Sequence, residues 1–423
     1  MNLKKRARDS RKTIVNPQRL WSDIQELGKI GFVEGRGVTR VALSDADIVA
    51  KEWLTRRMKE AGLEVRMDAA TNVIGTLKSP GQREARIVVI GSHLDTVPGG
   101  GIFDGALGVL AGLECTRALQ ENSIVLPWDL EIINFSDEEG FHNAGTVGSR
   151  AMVGKLGQNE IFLAKEKGLP TFAEDMKRLG KNPDRIDEAI RDPEIFEAFL
   201  ELHIEQGGVL ESRGMDIGAV TGIAGIYRYT IEILGKADHA GTTPMSLRDD
   251  ALVKAASIFT LLPQWVRTRN PEMVGTIGQI GVEPGAINVV PGKCVFNVEL
   301  RSMEPEDTAA VYRLLTEWVG RQTGSSIKTI YEKESAALSE SIIETIVRAA
   351  GVEDLSAIRM VSGAGHDCQV FAPRVPTGLI FVPSREGKSH CPEEWTDREH
   401  ASNGCQVLLR TTLKLADEKI SRK

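Results

Sequence analysis

The 423-residue sequence predicts an α/β protein of two domains, with a ferredoxin-like unit inserted into a larger one. Three observations lead there. The chain is longer than one hydrophobic core usually grows. The apolar runs ARIVVIGSHLD and DLEIINFSDEEG flank DGALGVLAGLECTRALQ, whose apolar residues recur at helical spacing, and strand, helix, strand alternation argues for an α/β sheet. From about Val220 the order becomes strand, helix, strand, strand, helix, strand, which is βαββαβ.

In chain order, PQRLWSDIQELGKIGF and SDADIVAKEWLTRRMKEAG read as surface helices, the second opened by Ser44 as N-cap. The runs EVRMDAATNVIGTLKS, ARIVVIGSHLD and DLEIINFSDEEG read as strands, and the last two end abruptly in polar residues, as buried parallel strands do. Ligand sites in open α/β sheets lie beyond the strands' carboxyl ends, where HLD and DEEG fall. The inserted unit comprises IYRYTIEILGKA, PMSLRDDALVKAASIFTLL, MVGTIGQIGV, CVFNVELRS, PEDTAAVYRLLTEWVG and SIKTIYEKE. Residues 219–334 therefore form one domain, and 1–218 with 335–423 form the other, to which the helix SIIETIVRAAG and the strand PTGLIFVPS return.

Composition narrows the function. Hydrophobic residues at 41% and charged residues at 26% are ordinary for a soluble globular protein, and a net charge of -7 argues against a nucleic-acid partner. The basic opening MNLKKRARDSRK is followed by no apolar stretch and reads as a solvated tail rather than a signal peptide. No run approaches a membrane span. Five scattered cysteines without CxxC spacing fit a reducing compartment, hence the cytoplasm.

Singly, His93, His203 and His390 would each be a structural histidine, but their company matters. His93 is followed by Asp95, by Asp104 in GGGIFDG, and by the adjacent Glu138 and Glu139. Imidazole and carboxylate together suit divalent zinc, manganese, cobalt or nickel. A glycine-rich loop lets the backbone turn sharply enough for Asp104 to bridge two ions. Adjacent residues at a strand end point apart, so one glutamate can bind metal while the other faces the bound water as general base.

The blocks GSHLDTVPGGGIFDGALGVLAGLE, DEEGFHNAGTVGSRA, ELHIEQGGVLES, KADHAGTTPM, INVVPGK with VELRS, SGAGHDCQVFAP and SHCPEEWT together resemble the N-carbamoyl-L-amino acid hydrolase and allantoate amidohydrolase (hydantoinase/carbamoylase) family, from roughly residue 20 to 415. The resemblance implies a two-domain metallopeptidase-like hydrolase: a mixed-sheet α/β catalytic domain and a lid that also forms a homodimer. It implies two divalent metal ions per subunit, Asp104 bridging them, His93 and Glu139 on different ions, and His203 and His390 completing the shells. Glu138 is then the base, and Asp95 orients the His93 imidazole. Gln206, Gly365, His239, Asn288 and Arg301 go to the substrate. Arg301 would clamp a carboxylate bidentately, and His239 would reach the neighbouring subunit's site to stabilise an oxyanion. His366 should shape its glycine loop, Cys391 is a bystander, and His142 and His400 match no motif position. Where many members continue EEG with Ser-Arg-Phe, this chain has Phe141, His142 and Asn143, which bears on substrate choice.

The implied activity is hydrolysis of the carbamoyl C–N bond of an N-carbamoyl-L-amino acid to amino acid, ammonia and carbon dioxide, with the lid closing over the substrate. Allantoate amidohydrolase and β-ureidopropionase activities are the nearest rivals, since both substrates offer a carboxylate and a ureido carbon. A peptidase fits less well because HIEQG puts His203 where peptidase relatives more often carry an acid. A binding protein that kept the fold without catalysis is disfavoured by Glu138 beside a full ligand set.

Overall fold

The computed structural model describes residues 13–80, 86–143, 145–157, 159–166 and 168–421, and the basic opening segment lies outside them. The chain forms two compact units, one reaching to Thr221 and resuming at Leu338, the other Gly222–Ala337.

Among the described residues the first unit is organised on a nine-stranded mixed sheet. Its centre is parallel: Thr377–Val382, Phe196–Ile204, Ile87–His93 and Asp129–Phe135 lie side by side in that order. Antiparallel strands flank it, Ile217–Ile223 beside Thr377–Val382, and Val73–Leu77 then Glu64–Met67 beyond Asp129–Phe135. Three of the parallel strands are buried at every residue, as strands covered on both faces must be. The helix Ala106–Glu121 lies on Ile87–His93 and Phe196–Ile204 and against the long helix Arg398–Ser421. It approaches closely because Gly108 faces the sheet, where a Cβ would sit 2.4 Å from the Leu202 carbonyl oxygen.

EVRMDAATNVIGTLKS folds as two antiparallel strands rather than one run. Asp68 closes the turn by accepting the N–H groups of Ala70 and Asn72 at 3.0 and 2.9 Å, a local bond that competes with strand continuation. Between the second and third parallel strands in sequence, a region without a clear sequence pattern builds a small core from Val147, Phe172, Met176 and Ile186, joined by Leu43 from earlier in the chain.

The second unit has the strands Gly225–Leu234, Val274–Glu283, Lys293–Ser302 and Ser326–Lys333 and the helices Ala251–Arg269 and Pro305–Gly320. The sheet is antiparallel, ordered Val274–Glu283, Lys293–Ser302, Gly225–Leu234, Ser326–Lys333. Alternate residues of Lys293–Ser302 are buried, so Phe296, Val298 and Leu300 share one core with Ile258, Leu262, Val311 and Leu315 of the two helices. The first helix begins at Ala251 rather than at Pro244, because the Asp250 side chain caps Leu252 and Val253.

Candidate metal centre

The first unit brings six sequence-singled residues to one edge of its sheet. His93 is the last residue of its strand, Glu138 and Glu139 follow Asp129–Phe135, His203 lies in Phe196–Ile204, and His390 follows Thr377–Val382. These four strands run parallel, so their carboxyl ends open on the same side. Asp104 arrives from the loop before Ala106–Glu121, where Gly105 has φ +64° and a Cβ would lie 2.4 Å from His93 Nε2. No other residue leaves room for that imidazole.

Two triads result, His93–Asp104–His203 and Asp104–Glu139–His390, each with ligand atoms within 4.8 Å of one another. Asp104 belongs to both. Its Oδ1 lies 3.5 Å from His93 Nε2 and 3.2 Å from His203 Nε2, while its Oδ2 lies 3.5 Å from His390 Nε2. His390 Nε2 is also 3.5 Å from Glu139 Oε1. The adjacent glutamates diverge in the bend that follows the strand: Glu138 Oε2 sits 3.6 Å from His93 Nε2 and belongs to neither triad.

Backbone carbonyls set the imidazoles. Nδ1 of His93 pairs with the Asp95 carbonyl oxygen and Nδ1 of His203 with that of Ile204, each at 2.9 Å, which leaves Nε2 turned to the carboxylates. Asp95 thus orients the His93 ring through its backbone carbonyl, while its carboxylate stands 3.9 Å from Nδ1 and has a further task. It accepts the N–H groups of Glu138 and Glu139 at 3.4 and 3.2 Å and so holds the acidic turn in place.

The electrostatics suit cations. Burial and the neighbouring Asp104 carboxylate hold Glu139 well above the usual carboxylate range, and burial pushes Asp95 up to about 7. Burial opposes charge on Asp104 too, yet His203, His390 and His93 keep it well below the ordinary value. Burial opposes protonation of His203, but Asp104 and Glu201 raise it to about 9. Glu139 Oε1 is buried without a hydrogen-bond partner. An orphaned buried carboxylate oxygen among nitrogen and oxygen donors, with no sulfur in either triad, fits a pair of divalent cations of the zinc-to-manganese type.

Of the residues assigned to substrate, Gln206 borders the centre with Nε2 donating to Asp104 Oδ2 at 2.6 Å. Gly365 lies in the turn beside His366, which packs edge-on against His203 at 4.6 Å and pairs with Ser362 Oγ at 3.0 Å. His366 is in neither triad. His239, Asn288 and Arg301 belong to the second unit. There His239 and Asn288 are exposed, His239 Nδ1 accepts the N–H groups of Gly241 and Thr242 at 3.0 and 3.2 Å, and Arg301 Nε donates to Glu299 at 2.7 Å.

His142 is no ordinary polar residue. It is fully buried between two carboxylates, Nδ1 3.1 Å from Asp137 and Nε2 3.0 Å from Asp175, and so ties the acidic turn to the helix Phe172–Arg178. The sequence offered no sign of this, because Asp175 is 33 residues away. Ser389 and Glu394, which contact the Asp104 loop, likewise carry no distinguishing signal inside SHCPEEWT.

Sheet, inserted unit and imidazole–carboxylate cluster define a two-domain α/β hydrolase. The chain belongs to the peptidase family M20/M25/M40, whose description matches residues 89–414. It is 40% identical over 409 residues to the N-carbamoyl-L-amino acid amidohydrolase of Geobacillus stearothermophilus, covering 95% of this chain and 99% of the relative. It is 32% identical to the allantoate amidohydrolase of Escherichia coli, covering 93% and 96%. Among solved structures, an amidase of the hydantoinase/carbamoylase family from Burkholderia multivorans superposes with a TM-score of 0.87 at 32% identity, covering 96% and 98%.

Proposed function

We propose that this chain hydrolyses the carbamoyl C–N bond of an N-carbamoyl-L-amino acid, releasing the amino acid, ammonia and carbon dioxide. The observation that carries hydrolysis is the shared carboxylate of Asp104, flanked by two triads with Glu138 outside both. The choice of substrate rests on the likeness to the Geobacillus stearothermophilus enzyme.

His93, Asp104, His203, Glu139 and His390 would hold two divalent ions, zinc, manganese, cobalt or nickel, which when bound lower the pKa of water and polarise the substrate carbonyl. Glu138 takes a proton from the attacking water as its oxygen bonds to the carbamoyl carbon. His239 donates to the oxyanion that forms. The bond to the amino-acid nitrogen then breaks, that nitrogen takes the proton held by Glu138, and the released carbamate decomposes to ammonia and carbon dioxide. Arg301 binds the substrate carboxylate, with Asn288, Gln206 and Gly365 fixing its orientation.

In this reading residues 1–218 and 335–423 are catalytic, while 219–334 act as a lid that closes over the substrate and as a homodimer contact. The edge strand Val274–Glu283 supports the latter, because Val274 and Ile280 are about half exposed on an unpaired edge (53% and 49%). All five cysteines are free, which fits the cytoplasm, and no helix among the described residues is long and apolar enough to cross a membrane.

The test is ammonia release from N-carbamoyl-L-amino acids, N-carbamoyl-β-alanine and allantoate, with manganese, cobalt, nickel and zinc supplied in turn. Turnover of a carbamoyl amino acid is expected. A preference for allantoate would move the assignment to the activity of the Escherichia coli relative, and peptide hydrolysis without ureide hydrolysis would contradict both.

A further inference from the structure

A buried carboxylate that the proposed mechanism does not use stands behind the more open half of the centre. Glu394 is 3% exposed. Its Oε1 accepts two consecutive backbone N–H groups, those of Phe103 and Asp104, at 2.9 and 3.0 Å. The Ser389 hydroxyl lies 2.9 Å from Glu394 Oε2 and 2.7 Å from Asp104 Oδ2, and can donate its one proton to either. Ser389 directly precedes His390, whose backbone adopts φ +57°. Glu394 thus joins the loop that carries Asp104 to the turn that carries His390. Gly101 gives it room, since a Cβ there would fall 2.2 Å from Glu394 Oε1.

The two halves of the centre differ in how they are held. His93 and His203 are almost fully buried, each with Nδ1 fixed by a backbone carbonyl, whereas the His390 side chain is 48% exposed. Ser389 bonds to Asp104 Oδ2, the oxygen that faces His390, and not to Oδ1, which faces the buried histidines. We propose that Glu394, acting through Ser389, is a positioning residue that selectively organises the Asp104–Glu139–His390 half of the centre. The role rests on the metal reading of the two triads and names a residue outside them.

The side-chain chemistry separates the substitutions. Glu394→Ala removes the acceptor of two backbone N–H groups and leaves Ser389 without its anchor. Glu394→Gln keeps a carbonyl oxygen for both N–H groups and turns an amide N–H to Ser389, whose proton is then wholly available to Asp104. Ser389→Ala removes a single hydroxyl.

The experiment is calorimetric titration of the metal-free full chain with manganese alone, together with kcat and KM on a carbamoyl amino acid. Wild type should show two sites. Glu394→Ala should weaken one of them roughly tenfold or more, leave the other within about threefold, and lower kcat with little change in KM. Glu394→Gln should restore both sites, and Ser389→Ala should weaken the same single site. Wild-type affinities in Glu394→Ala overturn the proposal, as does equal weakening of both sites, the mark of general damage to the fold. Should Glu394→Ala fail to fold, Ser389→Ala decides: two wild-type sites in that variant overturn the proposal. Wild-type protein that binds no manganese would instead sink the metal reading on which this one stands.

Discussion

Glu138→Gln is the substitution that isolates the proposed base. The side chain is 11% exposed and lies in neither triad, so glutamine of the same shape occupies its place while the backbone N–H still meets Asp95. What disappears is the ability to take a proton, and one negative charge 3.6 Å from His93 Nε2. That charge is the foremost of the carboxylate influences that raise His93 against its burial. Without it the imidazole is more readily neutral, the form that coordinates a cation. Metal content should therefore be retained. The rate should fall by what a positioned general base supplies, about 10²- to 10⁴-fold, equivalent to about 3 to 5 kcal/mol in the barrier. Steady-state kinetics on a carbamoyl amino acid, with metal analysis of the same preparation, make the comparison. An unchanged kcat refutes the assignment of the base, and a low rate with lost metal shows that Glu138 serves the centre in another way.

Two further outcomes follow from the packing. His142→Leu strands the carboxylates of Asp137 and Asp175 in a buried setting and should cost about 3 to 5 kcal/mol in urea denaturation; a loss under about 0.5 kcal/mol would contradict the ion-paired reading. Burial works against charge on His142, but Asp137 and Asp175 raise its pKa, so its contribution is fully present below the unfolded-state value of about 6.5 and declines as pH rises through the folded one. The stability gap between wild type and variant should accordingly be widest in mild acid and narrow as the medium becomes alkaline. Gly108→Ala forces a Cβ against the Leu202 carbonyl oxygen and should lower stability by about 1 to 3 kcal/mol; a thermal midpoint equal to wild type would mean that the helix does not lie this close to the sheet.

The sequence was legible where chemistry or periodicity repeats. ARIVVIGSHLD and DLEIINFSDEEG read as buried strands with polar ends, and the structure has them parallel and paired, with His93 opposite Phe135. His93, His203 and His390 stood out as imidazoles at strand ends and in loops, and Asp104 and the Glu138–Glu139 pair as acids in a glycine loop and at a strand end, but it was the resemblance to a known family that made one ligand set of His93, Asp104, Glu139, His203 and His390. Other features were hidden because they depend on long-range contact. Nothing local distinguishes Glu394 from the acids beside it until the loop bearing Asp104, 290 positions earlier, docks on it. His142 acquires its meaning only once Asp175 is brought to it by a helix. Asp95 shows a subtler limit: its closeness to His93 was evident, but the division of labour between its carbonyl and its carboxylate was not. The hairpin at Asp68 was obscured because strand-like residues continue across a turn made by one side chain.

Counting metal ions bound per chain to wild-type protein and to Asp104→Asn bears most directly on the central claim, that one carboxylate joins two triads into a single centre. The account predicts two equivalents of a divalent ion such as manganese on the wild-type chain and a marked loss of binding in the variant, whose neutral amide would offer a single ligand oxygen where the carboxylate offers two. No binding by wild type, or equal binding by the two proteins, would contradict it.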